Sequence, residues 1–433
     1  MQKEYAMQLT GEERAILEGK QGETLRKALQ SVVLYGQIFG AERLAPVEGS
    51  VHLVTSFGIP LLKPVFAIVD ELIDAKLKTA YPFTVDPRPM DFKNVPANIL
   101  EKFIFKKIMY GKQAQYEEQL SKVGLKDDQS FTCTCYMDEV GNIPRKGQLL
   151  AWAESSAVIY ANSVLGARTN RNSGVLELLC GITGRAPVFG LMTDEGRKAD
   201  WLIEVKTKCL PEAQILGSAI GLKVMEDVPF ISGLANFLGN ELNARARDYL
   251  KDMGAASASN GAVGLYHVEG LTPEAVESSR GLLKQGHRTY VIDEAELKKV
   301  YDSYPVMWKN PSAKPKICFI GCPHLSLRQI YDWLERFESA LASFGTKKLA
   351  VTTIMTAAPG VAAAFRKDQE AYSRLTAVGA RLTSICPLMY MNNPLCSKKA
   401  VITNSNKLRT YTTARYFTDD EMTSIVIRGG IHG

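Results

Sequence analysis

The chain has 433 residues, 46% of them hydrophobic, and its 52 basic and 46 acidic side chains leave a net charge of +6. That size supports a large buried core split into two or three lobes, and the near-balanced charge, without a Lys/Arg run or an aromatic-basic stripe, argues against nucleic acid as a partner. The charged amino terminus, MQKEYAMQLTGEER, is unlike a secretory signal, and no stretch approaches the roughly 18 apolar residues of a membrane span, so a soluble cytoplasmic protein is expected.

Thr10 and Glu13 form a capping box for a short helix ending near Gly19, and Leu25, Ala28, Leu29 and Val32 give the apolar face of a second. Past Pro46 the text is mixed, with Ser50-Val51-His52 and a turn at Thr55-Ser56-Phe57-Gly58, and then a helix from about Val65 to Leu77. Tyr81 to Asp91, YPFTVDPRPMD, contains three prolines, which exclude a regular element and predict an ordered loop carrying Asp86, Arg88 and Asp91. Without further information it reads as a solvated connection.

Ala151 to Gly174, AWAESSAVIYANSVLGARTNRNSG, has the apolar residues of a buried helix but crowds polar side chains among them. A buried polar group without a hydrogen bond costs on the order of 1 to 3 kcal/mol, so Glu154, Ser155, Ser156, Asn162, Ser163, Arg168 and Asn170 demand partners. Ser155-Ser156 recur two turns later as Asn162-Ser163 on one stripe, while Val158, Ile159, Val164 and Leu165 take the other faces. Two readings fit: a polar network tying helices together, or the wall of a ligand site.

The second half alternates strands and helices. Gly261 to Val268 reads as a strand, followed by a helix opened by Thr272-Pro273; Thr289 to Ile292 reads as another, followed by a capping box at Asp293 to Glu296. Lys316 to Ile320 is an apolar strand leading through Gly321-Cys322-Pro323-His324 to a helix capped by Ser326 and Gln329, with Ile330, Trp333, Leu334, Phe337 and Leu341 at helical spacing. Leu349 to Thr353, Arg381 to Ile385 and Lys399 to Thr403 complete the strands. The alternation predicts an α/β protein, multi-lobed, with largely parallel sheets flanked by helices and seams near residues 253–261 (MGAASASNG) and 310–316 (NPSAKPK).

Eight cysteines in a cytoplasmic chain should be reduced, and no C-x-x-C pair occurs, so a structural zinc site is poorly supported. Cys180, Cys209 and Cys318 read as core; Cys396 is open. In open parallel sheets functional groups gather where strands end and loops enter helices. Cys322, Cys386 and the Asn404-Ser405-Asn406-Lys407 segment fall at such ends, and Cys133 lies just upstream of the polar helix. Three converging thiolates can hold an iron-sulfur cluster and leave one iron open as a Lewis acid, though scattered cysteines alone are weak evidence of it.

The text ESSAVIYANSVLGARTNR, Glu154 to Arg171, resembles the signature of aconitase X, a branch of the aconitase superfamily. LTGEERAILEGKQGE, Gly40 to Leu44, FIGCPH at Phe319 to His324, and Thr403-Asn404-Ser405 through Lys407 resemble that family in its order, so the likeness spans nearly the whole chain. It implies a hydro-lyase with an iron-sulfur cluster, four-iron or two-iron, or a mononuclear iron, held by Cys133, Cys322 and Cys386. It further implies that Glu154, Ser155 and Lys407 act in catalysis and that Thr55, Ser56, Asp86, Pro87, Arg88 and Ser405 line the substrate pocket. Lys407 would meet an acidic substrate group, Ser155 and Ser405 would donate hydrogen bonds, and Glu154 would orient a hydroxyl or move a proton, unless it only pairs with Arg168 or Arg171.

Family members are either fused or split into large and small subunits, the small part carrying a mobile domain with a catalytic serine. The chain ends at Gly433 just after the Lys407 region, so it resembles a large subunit, with a small partner chain expected. Two positions depart from the family. Its T-C-x-P-Y reads Thr132-Cys133-Thr134-Cys135-Tyr136, so Cys135 could compete for metal, and its N-P-x-G-M-D reads Asp86-Pro87-Arg88-Pro89-Met90-Asp91. Two family substrates, cis-3-hydroxy-L-proline and mevalonate 5-phosphate, both lose water beside a carboxylate. Asp86 would attract the ring ammonium of the first and repel the phosphate of the second, with Arg88 or Lys407 meeting the carboxylate, although Arg88 could also serve a phosphate. The reading from another class is a non-catalytic metal-binding or regulatory subunit, motivated by the same departures.

Overall fold

The computed structural model describes residues 6–54 and 59–431. The first lobe opens on helices Gly11–Leu17 and Glu23–Ile38, the former started by the reciprocal Thr10–Glu13 capping box that its sequence predicts. Leu29, Val32 and Val33 of the second helix are buried against the Leu176–Thr183 helix and the first lobe's own apolar core. Within this lobe a two-residue parallel pairing of His52–Leu53 with Thr84–Val85 threads the proline-rich loop through the interior. That loop is therefore not a solvated connection: Asp86 is only 4% exposed.

Two all-parallel sheets form the remainder, as the strand-helix alternation predicts. The four-stranded sheet has the order His267–Val268, Pro229–Ser232, Ala199–Val205, Leu283–Ile292, and the five-stranded sheet the order Ala380–Thr383, Thr352–Ala357, Ile317–Leu325, Val401–Thr403, Arg415–Tyr416. In the latter the chain runs outward on one side of Ile317–Leu325 and returns to build the other side from Val401–Thr403. Those two neighbours straddle the point where strand order reverses, the crevice in which open parallel sheets bind ligands. The Leu327–Ser343 helix has its Ser326–Gln329 capping box, and all five spaced apolar residues are buried.

Several expectations are corrected. Residues 253–261 are no seam: they are the second half of the Ala244–Gly261 helix, and the expected strand from Gly261 shrinks to His267–Val268. The small residues there serve close packing, since a methyl group on Gly261 or Gly217 would overlap the backbone of Gly221 or Met253 on the facing helix. One apolar core, from Trp201 and Ile203 through Met253 to Trp333 and Phe337, then runs continuously across both sheets. Residues 310–316 do form an irregular connection. At Asp293 only half of the capping box exists, because Glu296 turns to Tyr290 instead of the cap. Cys209 is exposed rather than core, while Cys180, Cys318 and Cys396 are buried. Among the described residues no helix is long and apolar enough to cross a membrane.

Candidate active site

The polar segment is helical only over Ser155–Ser163, because Glu154 is its N-cap and accepts from the amide of Ala157 at 2.7 Å. The two polar pairs on the stripe then do different work. At the carboxyl end Asn162 bonds the carbonyls of Thr169 and Gly264 and the Arg197 guanidinium, and the Ser163 hydroxyl accepts from the amide of Tyr266, a network that ties chain segments together. Asn170 likewise bonds Phe189 and Leu191. At the amino end the same stripe faces a cation instead.

That cation is Lys407, in the first turn of the Asn406–Tyr411 helix. Its ammonium forms an ion pair with Glu154 and lies 3.3 Å from both the Ser155 and the Ser156 hydroxyls, and Ser156 donates to Glu154 at 2.7 Å. The pair is buried, with Lys407 7% and Glu154 5% exposed. Burial opposes the charge on Lys407, but Glu154 and the thiols of Cys322 and Cys133 outweigh it and hold its pKa above the usual lysine value. Burial likewise works against the Glu154 carboxylate, yet Lys407 and Ser156 hold its pKa below the usual range. Both groups are charged at neutral pH. Glu154 does not pair with an arginine: Arg168 turns to Asp194 at 2.6 Å.

Three thiols lie within electrostatic reach of this pair. Cys322 sits near the carboxyl end of its central strand, Cys386 caps the Pro387–Met391 helix, and Cys133 lies in the loop that follows Phe131. They are electrostatic neighbours: burial raises all three pKa values, and Cys322 adds to the rise at Cys133 and at Cys386. The Cys133 sulfur accepts from the His324 amide at 3.4 Å. Cys135 is fully buried near Thr84, and burial raises its pKa. Among the described residues no group of three or more His, Cys, Asp or Glu side chains is placed to hold a metal ion.

Two expected pocket residues are engaged in holding the site. The Ser405 hydroxyl donates to the Cys322 carbonyl and accepts from the Leu408 amide at 3.1 Å. The Arg88 guanidinium is held by Glu117 at 2.9 Å and by the Asp128 carbonyl at 3.1 Å, over the ring of Phe131, while its own carbonyl accepts from the Cys386 amide at 3.0 Å. Asp86 and Pro87 are buried in the same loop, and the Asp86 charge raises the pKa of Cys386. Thr55 and Ser56 lie outside the described residues.

Three buried titratable residues were not singled out by sequence reasoning. His52 bonds the Thr84 hydroxyl at 2.9 Å through Nδ1, and burial pulls its pKa down to about 4. His324 bonds Thr132 at 2.9 Å and the Ile385 carbonyl at 3.0 Å, and burial again lowers its pKa to about 4. Both imidazoles are neutral. Glu177, in the helix Leu176–Thr183, is a lone carboxyl in the run Val175-Leu176-Glu177-Leu178-Leu179-Cys180, and an acid among apolar helix residues was the signal available for it.

Comparison with known proteins identifies the family. Residues 6–195 match the family model "Aconitase X first domain" and residues 199–302 "Aconitase X second domain". The "Phosphomevalonate dehydratase large subunit" of Thermococcus kodakarensis is 33% identical over 82% of this chain and 83% of its own length, and that of Methanocaldococcus jannaschii 32% over 75% and 77%. The "Cis-3-hydroxy-L-proline dehydratase" of Pseudomonas aeruginosa is 28% identical over 92% of this chain and 65% of its own. The crystal structure of Thermococcus kodakaraensis aconitase X in its holo-form superposes with a TM-score of 0.80 at 28% identity, covering 98% of this chain and 100% of that one.

Proposed function

The chain belongs to the aconitase X family and is a dehydratase, and from that premise we propose that it removes water from cis-3-hydroxy-L-proline in complex with a small partner chain. The observation that carries the reading is the buried Glu154–Lys407 pair facing Cys133, Cys322 and Cys386 where the strand order of the five-stranded sheet reverses. The partner is supported by relatives named as large subunits.

The donor types suit an iron-sulfur or iron centre, three soft thiols from separate segments beside an ammonium that offsets their negative charge once deprotonated, although the described side chains are not gathered into a metal-holding group. Cys133, Cys322 and Cys386 would hold the group, which, when bound, supplies a Lewis acid for the departing hydroxyl. The chain's own residues do the rest. Lys407 stays charged and, with the half-buried Ser155 hydroxyl, binds the substrate carboxylate. Glu154, ionised and fixed by Ala157 and Ser156, accepts a substrate hydrogen bond or proton at its Lys407-facing oxygen. Ser405 keeps the Cys322 backbone in place, and the Arg88 carbonyl does so for Cys386.

Asp86 favours the amino acid, because a buried carboxylate close enough to act on Cys386 attracts a ring ammonium and repels a phosphate dianion, and Arg88 is already neutralised by Glu117. The higher identity to phosphomevalonate dehydratases supports mevalonate 5-phosphate as the second reading. The two-chain enzyme, reconstituted with iron and sulfide, is incubated with each compound and products are followed by mass spectrometry. Dehydration of hydroxyproline is expected; turnover of the phosphate ester alone overturns the choice.

A further inference from the structure

Glu177 is 1% exposed, and its two carboxyl oxygens have unequal surroundings. Oε1 accepts from the Val54 amide at 3.1 Å, whereas Oε2 is buried without a hydrogen-bond partner among the described residues. Its helix begins from Val175, a β-branched residue held at φ +84°, a strained conformation that native proteins keep mainly where function requires it. Burial, reinforced by Asp86 in the loop after Thr84–Val85, raises the pKa of Glu177 to about 8. Cys180, one turn on in the same helix, lies within electrostatic reach of it, Tyr35 lies near Cys180 in turn, and Arg185 on the adjacent strand is turned to Glu12 and Glu13.

A side chain that only had to pin Val54 would need one oxygen. With its pKa raised to about 8 the carboxyl is protonated at neutral pH, and its Oε2 meets no hydrogen-bond partner among the described residues. Asp86 links this position to the centre described above: its amide donates to the Leu53 carbonyl at 3.1 Å, one residue before the Val54 that Glu177 holds, and its charge acts on Glu177, Cys135 and Cys386 alike.

We propose that Glu177 is a substrate-binding residue at the Asp86 end of the site, an uncharged carboxyl that donates the Oε2 proton in a hydrogen bond to an oxygen of the hydroxy-carboxylate. It would complement Lys407: the ammonium takes the anionic end, and the neutral acid takes an acceptor that a carboxylate would repel. This rests on the dehydratase reading above and names one more contact within it.

The test uses the enzyme co-purified with its small partner chain, with kcat/KM for both candidate substrates and Kd by calorimetry measured from about pH 6 to about pH 10. Wild type should lose about tenfold in kcat/KM per pH unit above about 8, as the donor ionises. Glu177→Gln keeps a donor that does not titrate, so its KM should stay within about threefold and the fall between about pH 8 and about pH 9 should vanish. Glu177→Ala should raise KM and Kd about three- to tenfold, the range of one neutral hydrogen bond. Because alanine at a buried site can impair folding, the glutamine variant carries the decision. A fall between about pH 8 and about pH 9, below the titration of a ring ammonium, that persists in Glu177→Gln overturns this proposal alone. Turnover of neither substrate by wild type overturns the dehydratase reading and this contact with it.

Discussion

Replacing Lys407 by methionine tests the central ion pair directly. The substitution keeps the length of the side chain and removes the ammonium, leaving the Glu154 carboxylate 5% exposed with Ser156, the Ala157 amide and the neutral His52 as company. Deleting one partner of a buried pair typically costs about 3 to 5 kcal/mol, because the survivor's charge is stranded, and Glu154 should respond by taking up a proton, its pKa now rising above the usual range. Glu154→Gln should cost less, about 1 to 3 kcal/mol, because a lysine can shed its proton. In Lys407→Met combined with Glu154→Gln neither charge remains, so the double variant should lose much less than the sum, a coupling of about 2 to 3 kcal/mol. Denaturant unfolding of the four proteins in one buffer at about pH 7.5 gives the cycle. Losses that add within about 0.5 kcal/mol would refute the pair as an energetic unit, and with it the argument that Lys407 is charged because Glu154 holds it so.

Three further outcomes follow. Cys133→Ser, Cys322→Ser and Cys386→Ser should each lower bound iron after anaerobic reconstitution while Cys135→Ser keeps it, since Cys135 is buried near Thr84; an iron assay showing the reverse would move the ligand to Cys135. Glu177 has a folded pKa of about 8 against 4.5 for the free group, so its proton stabilises the fold fully below pH 4.5 and that contribution is lost as pH rises through 8. Relative to Glu177→Gln, wild-type stability should therefore fall by about 4 to 5 kcal/mol over that window, and parallel Tm-against-pH curves would contradict it. Gly261→Ala should destabilise by about 1 to 3 kcal/mol or more, because its methyl meets the backbone of Gly221, whereas Gly281→Ala, with open space, should be near neutral in the same denaturation assay.

Much of the fold was legible because its signals are local. The Thr10–Glu13 and Ser326–Gln329 capping boxes, the helical spacing from Ile330 to Leu341 and the strand-helix alternation depend on neighbours within a few residues. The misreadings share a cause. MGAASASNG looks like a linker because small residues suit linkers, yet they also let two helix backbones touch, and only the facing helix decides between the two. The proline-rich loop looks solvated until the strands beside it bury Asp86.

At the candidate site the same division holds. From the sequence alone came the polar surplus at Glu154 to Ser163, the cysteines at strand ends and the family likeness, because each is a matter of residue type and spacing. Which partner answers Glu154, that Arg88 and Ser405 are engaged elsewhere, that Cys133 lies within electrostatic reach of Lys407 and Cys135 near Thr84, and that Glu177 keeps an oxygen without a partner among the described residues were decided only by the tertiary structure. Charge and hydrogen bonding act over a few ångströms of space, and Glu154 and Lys407, 253 positions apart in the chain, become neighbours only after the sheets have folded.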